Sequence, residues 1–287
     1  MPRRAIQIGM AILCAAVLTG RTTAAFAQQR PLVTEDPEVI GAGRMLLEAG
    51  IAYERDLAFP ASGLRGNLLT VPGAGVSVGL GSLVELQLDG VLRNRLAVTD
   101  RQPAPLSDLL NFTGNKTSSV GDFVLATKVR VAPETSGRPA LGLRFATKLP
   151  SASNEKGLGL DTIDFYSSLL VGKTVRSIRV VGNIGLGILS DPTNGTRQND
   201  VVTLGASLAR ALTDAVEVVG EVNGHANTRS GVPPPGTESR ATARIGARLT
   251  RGTLRLDAAF LTGLTTRDPT WGFTLGATYV WDALNVP

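Results

Sequence analysis

The amino-acid sequence predicts an all-β fold, a transmembrane antiparallel up-and-down β-barrel of about twelve strands, and three observations predict it. Side chains from residue 44 onward alternate between apolar and polar with a period of two. The alternating segments are joined by connections that are long and short in turn. The last segment closes on a pattern of glycine and aromatic residues that belongs to the end of a barrel.

Residues 1–27 stand apart from that pattern. Arg3 and Arg4 precede an uncharged run from Ala5 to Gly20, and Ala25-Phe26-Ala27 precedes Gln28. A basic start, a short apolar stretch and small residues at the end make a secretory signal, with cleavage expected between Ala27 and Gln28. The apolar run is shorter than the roughly 20 residues that cross a bilayer as a helix. Arg3-Arg4 also fits twin-arginine export, but the flanking residues fit poorly and barrels are exported unfolded. Cys14 follows the bulky Leu13 in mid-run, which is not where a lipid-attachment cysteine sits.

Cys14 is the sole cysteine, so the exported chain offers no disulfide, no thiolate metal site and no cysteine nucleophile. Three of the 29 basic residues also leave with the signal, which brings the bases close to the 24 acids. A nucleic-acid partner suggested by the high pI therefore loses its electrostatic support.

Residues 28–43 contain Pro31 and Pro37 and follow neither helical nor strand period, so they are expected to be an extended lead-in on the periplasmic side. The barrel domain is expected over residues 44–287. Its first strand sets Leu47, Ala49, Ile51 and Tyr53 against Glu48 and Glu54. Residues 84–96 set Val84, Leu86, Leu88, Leu92 and Leu96 against Glu85, Gln87, Asp89, Arg93 and Arg95, because successive strand side chains point to opposite faces. Farther on, Phe123, Leu125 and Val129 oppose Asp122, Lys128 and Arg130. Leu143 and Phe145 oppose Arg144 and Lys148, and Phe165 and Leu169 oppose Asp164. The pattern recurs with Ile184 and Leu186 against Arg179 and Asn183, Val218 and Val222 against Glu217 and Glu221, Ile245 and Leu249 against Arg244 and Arg248, and Leu256 and Phe260 against Arg255 and Asp257.

Residues 56–66, 97–120, 150–161, 190–199 and 227–239 are expected as long connections; 81–83, 173–177, 211–215 and 251–252 as short ones; 132–139 is intermediate. Tight turns at one end and long loops at the other are the habit of outer-membrane barrels, and an even strand number returns both termini to the periplasm. The uncharged stretch from Gly66 to Val84 is long enough for a membrane helix, but Pro72 and the glycines at 73, 75, 79 and 81 oppose one.

A soluble β-sandwich also alternates, yet gains nothing from such regular connections. The aromatics favour lipid: Tyr53, Phe123, Phe145, Phe165, Phe260 and Trp271 take the apolar parity toward the long-loop end, and Tyr279 and Trp281 take it at the short-turn end, as two interfacial girdles would. The segment from Thr274 to Trp281 places Gly276, Tyr279 and Trp281 as in the terminal signal read by the bacterial barrel-assembly machinery, although the chain continues to Pro287. Outer-membrane lipid and that machinery are thus the expected partners, beside a small-molecule substrate.

The polar face should enclose a lumen lined by Glu48, Glu85, Asp89, Arg93, Arg95, Lys128, Arg130, Arg144, Lys148, Asp164, Arg244, Arg248, Arg255 and Asp257. Bases and acids nearly balance, and unpaired charge away from water is costly, so a narrow or partly plugged pore is expected and not an open one. His225 is the sole histidine; it falls on the polar parity near the strand end, where a solvated rim position accounts for it better than a catalytic base does. Glycine spacings such as Gly182 to Gly187 lie inside a strand pattern with no following helix, so no cofactor site is expected.

Four stretches carry a family resemblance: RPLVTEDPEVIGAGRMLLEAGIAYERD from Arg30, GDFVLATKVRV from Gly121, PALGLRFATKLPSASNEKGLGLDTIDF from Pro139 and VVGNIGLGILSD from Val180. They resemble the bacterial outer-membrane proteins labelled as putative components of a phenol meta-degradation pathway, often called transporters. That resemblance implies uptake of aromatic or other hydrophobic compounds and brings no catalytic residues with it; with His225 as the sole candidate base, no enzymatic activity is expected. A barrel that acts through its loops, as an adhesin or envelope protein, is the alternative expectation; residues 97–119 and Pro233-Pro234-Pro235 supply the surface for it.

Overall fold

A computed structural model of the chain describes residues 30–284. The expected cleavage pair Ala27 and Gln28 lies outside the described residues. The strand segments are β1 (Arg44–Phe59), β2 (Leu64–Gly79), β3 (Val84–Val91), β4 (Asn94–Arg101), β5 (Lys116–Ser119), β6 (Phe123–Ala132), β7 (Ala140–Leu149), β8 (Asp164–Val175), β9 (Ile178–Ser190), β10 (Gln198–Ala211), β11 (Val216–Asn227), β12 (Arg240–Arg251), β13 (Leu254–Gly263) and β14 (Trp271–Asp282). β3 with β4, and β5 with β6, are each one barrel strand broken in the middle, so the segments make the twelve strands that the alternation predicts. All pairings are antiparallel, and β1 closes on β14 from Arg44↔Asp282 to Arg55↔Trp271. No edge is left along that seam, as a lipid environment demands.

The cylinder is turned inside out relative to a soluble protein. Leu47, Ile51, Leu88, Leu125, Phe145, Leu169, Ile184, Leu186, Val222, Ile245, Leu256, Phe260 and Leu275 are exposed, while Glu85, Lys128, Asp164, Arg179, Glu221, Arg248, Arg255 and Asp257 are buried. The parity read from the sequence holds at each of these positions. Two aromatic groups mark the ends of the outer face: Tyr53 packs on Trp271 and Phe273 at 5.6 and 5.7 Å, and Tyr279 stacks on Trp281 at 5.4 Å.

The parity fails in one sector, and Pro72 explains why. Proline brings no N–H to the ladder, so a strand partner cannot be held continuously across it. Opposite Pro72 the pairing between β2 and the next strand is interrupted at Leu92 and Arg93, bridged by Leu92 N donating to Pro72 O and Val71 N donating to Arg93 O. An odd residue in a strand turns every later side chain to the other face. Leu96, expected outside, is therefore only 1% exposed and packs inside with Leu64, Leu68 and Val98. Arg93 and Arg95, expected inside, lie exposed on the outer face.

The connections differ from expectation at two main places: within 97–120 only residues 102–115 form a loop, because β4 runs to Arg101 and β5 starts at Lys116. Residues 56–66 do not form a long loop: β1 runs on to Phe59 and β2 starts at Leu64, with Gly63 at φ 73° in the turn. The long loops at residues 102–115 and 150–163 lock together, with Asn111 N donating to Glu155 O and Lys156 Nζ to Asn111 O. The second of them also covers the unpaired edge of β5, through Ser153 N on Ser119 Oγ and Thr117 Oγ1 on Lys156 O.

The outer face sets the first prediction. Ile184, 53% exposed and central in β9, meets lipid near mid-membrane. Ile184→Arg should cost about 2–4 kcal/mol of folding free energy in liposomes, whereas Val232→Arg in the 228–239 loop should stay within about 0.5 kcal/mol. Urea titrations of both variants measure the difference.

Candidate functional site

The inner face is not an open tube, because residues 30–43 run inside it. A chain segment with no ladder neighbour must satisfy its backbone N–H groups elsewhere, and side chains of the wall do so here. Val33 N and Thr34 N donate to the Glu221 carboxylate at 2.9 and 2.8 Å, and Ile40 N donates to Glu85 at 2.8 Å. Asn183 accepts from Glu35 N at 2.7 Å and returns a bond to Glu35 O at 2.8 Å. Arg30 reaches Thr274 Oγ1 at 2.9 Å and Asp257 at 3.4 Å. The stretch expected as an extended lead-in is housed within the barrel, in the half nearer the short turns.

The acids of this segment complete the charge pairing of the wall. Glu35 lies 3.4 Å from Lys128 and 2.8 Å from Arg144, and Lys128 also meets Glu85 at 3.4 Å. Asp36 takes Arg179 in a two-toothed grip at 2.7 and 2.8 Å, and Arg179 turns its third nitrogen to Glu134 at 2.6 Å. Glu38 binds Arg130 at 2.8 Å. Lys128 is fully buried, a state a lysine tolerates only when oxygens surround its ammonium. Fork-like arginine contacts add direction to charge, so they fix where the segment sits as well as that it binds.

The remaining lumen residues pair within the wall. Lys148 bridges Asp122 and Asp164 at 3.4 and 2.8 Å, Arg244 meets Glu221 at 2.6 Å, and Arg248 meets Glu217 at 2.8 Å. Asp89 lies 3.9 Å from Arg144, and Glu48 accepts from Thr278 Oγ1 at 3.1 Å. Arg255 donates to Thr250 Oγ1 at 3.0 Å, while its Nη1 and Asp257 Oδ1 are buried without a hydrogen-bond partner. Of the residues expected to line the lumen, Glu48, Glu85, Asp89, Lys128, Arg130, Arg144, Lys148, Asp164, Arg244, Arg248, Arg255 and Asp257 do face it. Arg93 and Arg95 do not, for the reason given by Pro72. Sequence reasoning missed Arg30, Glu35, Asp36 and Glu38 as lumen residues; the one available signal was the acid-rich run Glu35-Asp36-Pro37-Glu38 beside a nearly neutral wall.

Space beside the segment is scarce. Cavities of about 30 Å³ between Thr34, Arg179, Glu217 and Arg255, and about 10 Å³ between Glu48, Glu85 and Asp89, are of water size. Toward the long-loop end the character changes: Leu64, Leu68, Leu96 and Val98, with Phe59, Leu110, Phe112 and Leu158 against them, form a packed apolar cluster. His225 sits at that end with its Nε2 2.8 Å from Glu238 O. Among the described residues no group of histidines and carboxylates is arranged to hold a metal.

Buried pairs are sensitive to loss of one member. Lys128→Met leaves the buried Glu85 without a cation and Glu35 with Arg144 alone, and should cost about 3–5 kcal/mol in denaturant titrations of the refolded barrel. Glu35→Gln combined with Lys128→Met should cost less than the sum of the two single changes, because the groups share one network.

No family model matches the chain, and no curated protein is similar to it in sequence. Among solved structures, an outer-membrane channel from Pseudomonas putida F1 is similar with a TM-score of 0.59 and 14% identity, over 86% of this chain and 98% of its own. The NanC porin is similar with a TM-score of 0.50 and 6% identity, over 81% of this chain and 98% of its own. At such identities the likeness is one of fold. Together with an apolar outside and a charged inside, it makes this chain a closed outer-membrane β-barrel of twelve strands.

Proposed function

We propose that the chain is a passive outer-membrane channel for a small hydrophobic or aromatic compound, closed in this structure by residues 30–43 and opened by their displacement. One observation carries the reading: the segment is seated by hydrogen bonds and ion pairs at separate points of the wall, with buried apolar contacts at two of its residues, Leu32 with Ala209 and Val219 and Ile40 with Leu46 and Val280. Polar contacts of this kind exchange readily for water, so the segment can leave without unfolding the barrel. The apolar side chains clustered at the long-loop end would favour a hydrophobic solute over a charged one, in keeping with the resemblance to outer-membrane proteins labelled for phenol degradation. The fold it shares with a channel and a porin supports the same role. His225 faces a backbone carbonyl and not a nucleophile, which supports a non-enzymatic reading. The terminal pattern of Gly276, Tyr279 and Trp281, with the aromatic pair stacked on the outer face, supports delivery by the barrel-assembly machinery.

The chemistry of the segment offers a test. A Cβ at position 205 would lie 3.5 Å from that of Thr34, within the span a disulfide needs, and with Cys14 in the signal no other cysteine competes. Oxidised Thr34→Cys/Gly205→Cys protein in liposomes should pass small aromatic solutes at background rate, and reductant should restore the flux. Undiminished flux through the oxidised form would sink the gating role. Absence of flux in the unmodified and reduced proteins would favour the loop-based adhesive or structural reading instead.

A further inference from the structure

We propose that the outer face of β2, β4 and β5, toward the long-loop end, binds the phosphorylated headgroup of an outer-leaflet glycolipid, with Arg93, Arg95 and Lys116 as the anion-binding side chains. The site exists because Pro72 breaks the ladder: the parity change that takes Leu96 inside brings Arg95 outside. Arg95 lies opposite Leu69 and Ser118, and Leu69 opposite Tyr53, so all four share the face on which Tyr53 packs against Trp271. This is the height of the aromatic girdle, where headgroups begin.

A length argument agrees. Arg93 is nine residues beyond Val84, the start of β3; at about 3.3 Å per residue and a tilt of about 40°, that raises it roughly 23 Å above the short-turn end, near the top of an apolar band about 25 Å tall. Lipid-facing charge is tolerated only there. The charge is also unspent: Arg93 Nη2 has Ser118 Oγ at 3.5 Å, and none of Arg93, Arg95 and Lys116 joins an ion pair among the described residues. This contrasts with the interior, where nearly every base has its acid.

Space is present as well. A cavity of about 750 Å³ has Tyr53, Leu69, Arg93, Arg95, Lys116 and Lys156 among its lining residues, so bases and apolar side chains share its wall. Cations beside leucine and tyrosine on a wall that faces lipid match an amphiphile, with phosphate on the arginines and the first part of its acyl chains on Leu69 and Tyr53. A free phosphate would use only half of that lining.

The experiment uses the full mature chain refolded in detergent micelles, with bis-phosphorylated lipid A as probe and native mass spectrometry as readout. The unmodified protein should hold one lipid A, and Arg93→Gln/Arg95→Gln/Lys116→Gln should bind it at least tenfold more weakly while keeping its heat-modifiable gel mobility and solute flux. Dephosphorylated lipid A should bind both proteins equally weakly, and millimolar inorganic phosphate should fail to displace the lipid. Equal retention by the triple variant overturns the proposal, as does indifference to dephosphorylation. Displacement by inorganic phosphate overturns the lipid assignment in favour of a simple anion site.

Discussion

Everything in this molecule depends on the closure of β1 against β14. A strand surrounded by acyl chains has no water to satisfy its N–H and C=O groups, so the sheet must meet itself or fail. The register from Arg44↔Asp282 to Arg55↔Trp271 accomplishes this in one uninterrupted ladder, finished at the short-turn end by the Arg44–Asp282 pair at 3.7 Å. Once the sheet is a cylinder, period two becomes a division of environments: one parity sees lipid and the other sees a confined interior.

Confinement then dictates the electrostatics. The interior holds charges that a flat sheet would have left in water, and each must acquire a partner or remain hydrated. Much of the pairing is local to the wall, as with Lys148 between Asp122 and Asp164. At Lys128, Arg144, Arg179 and Arg130 the wall supplies bases for acids of residues 30–43. The same constraint therefore shapes the barrel and gives its interior segment a defined seat. Replacing these pairs by apolar side chains would keep a packed interior but remove the directional contacts that fix the seat.

The sequence disclosed what repeats and concealed what happens once. Ile184, Leu186 and Val222 could be assigned outward because each belongs to a run whose two faces differ in chemistry, and an error of one residue would have inverted the entire run. Arg93, Arg95 and Leu96 were misassigned because a single extra residue changes parity without changing composition. Pro72 was visible, and the physical reason it should interrupt its neighbour was available, but its effect falls on its own strand and also on another about twenty residues away. The interior segment was hidden for a different reason. Its backbone is satisfied by side chains scattered over the whole chain, so it carries no period of its own, and only its acids hinted at a basic counterpart. The site is thus less legible than the fold: repetition encodes the wall, and unique long-range pairings encode what the wall contains.

Those pairings are also a record of assembly order. Arg30 meets Thr274, 244 residues away, and within a few residues of it the chain binds Glu221, Asn183 and Lys128. No single hairpin, nor any early subset of them, presents this set of partners. Residues 30–43 must consequently wait for the last strand before they can settle, and their docking is among the slowest and most non-local events available to the chain. A sealed interior is then a certificate of completion: a cylinder missing one strand would leave the segment without its anchors.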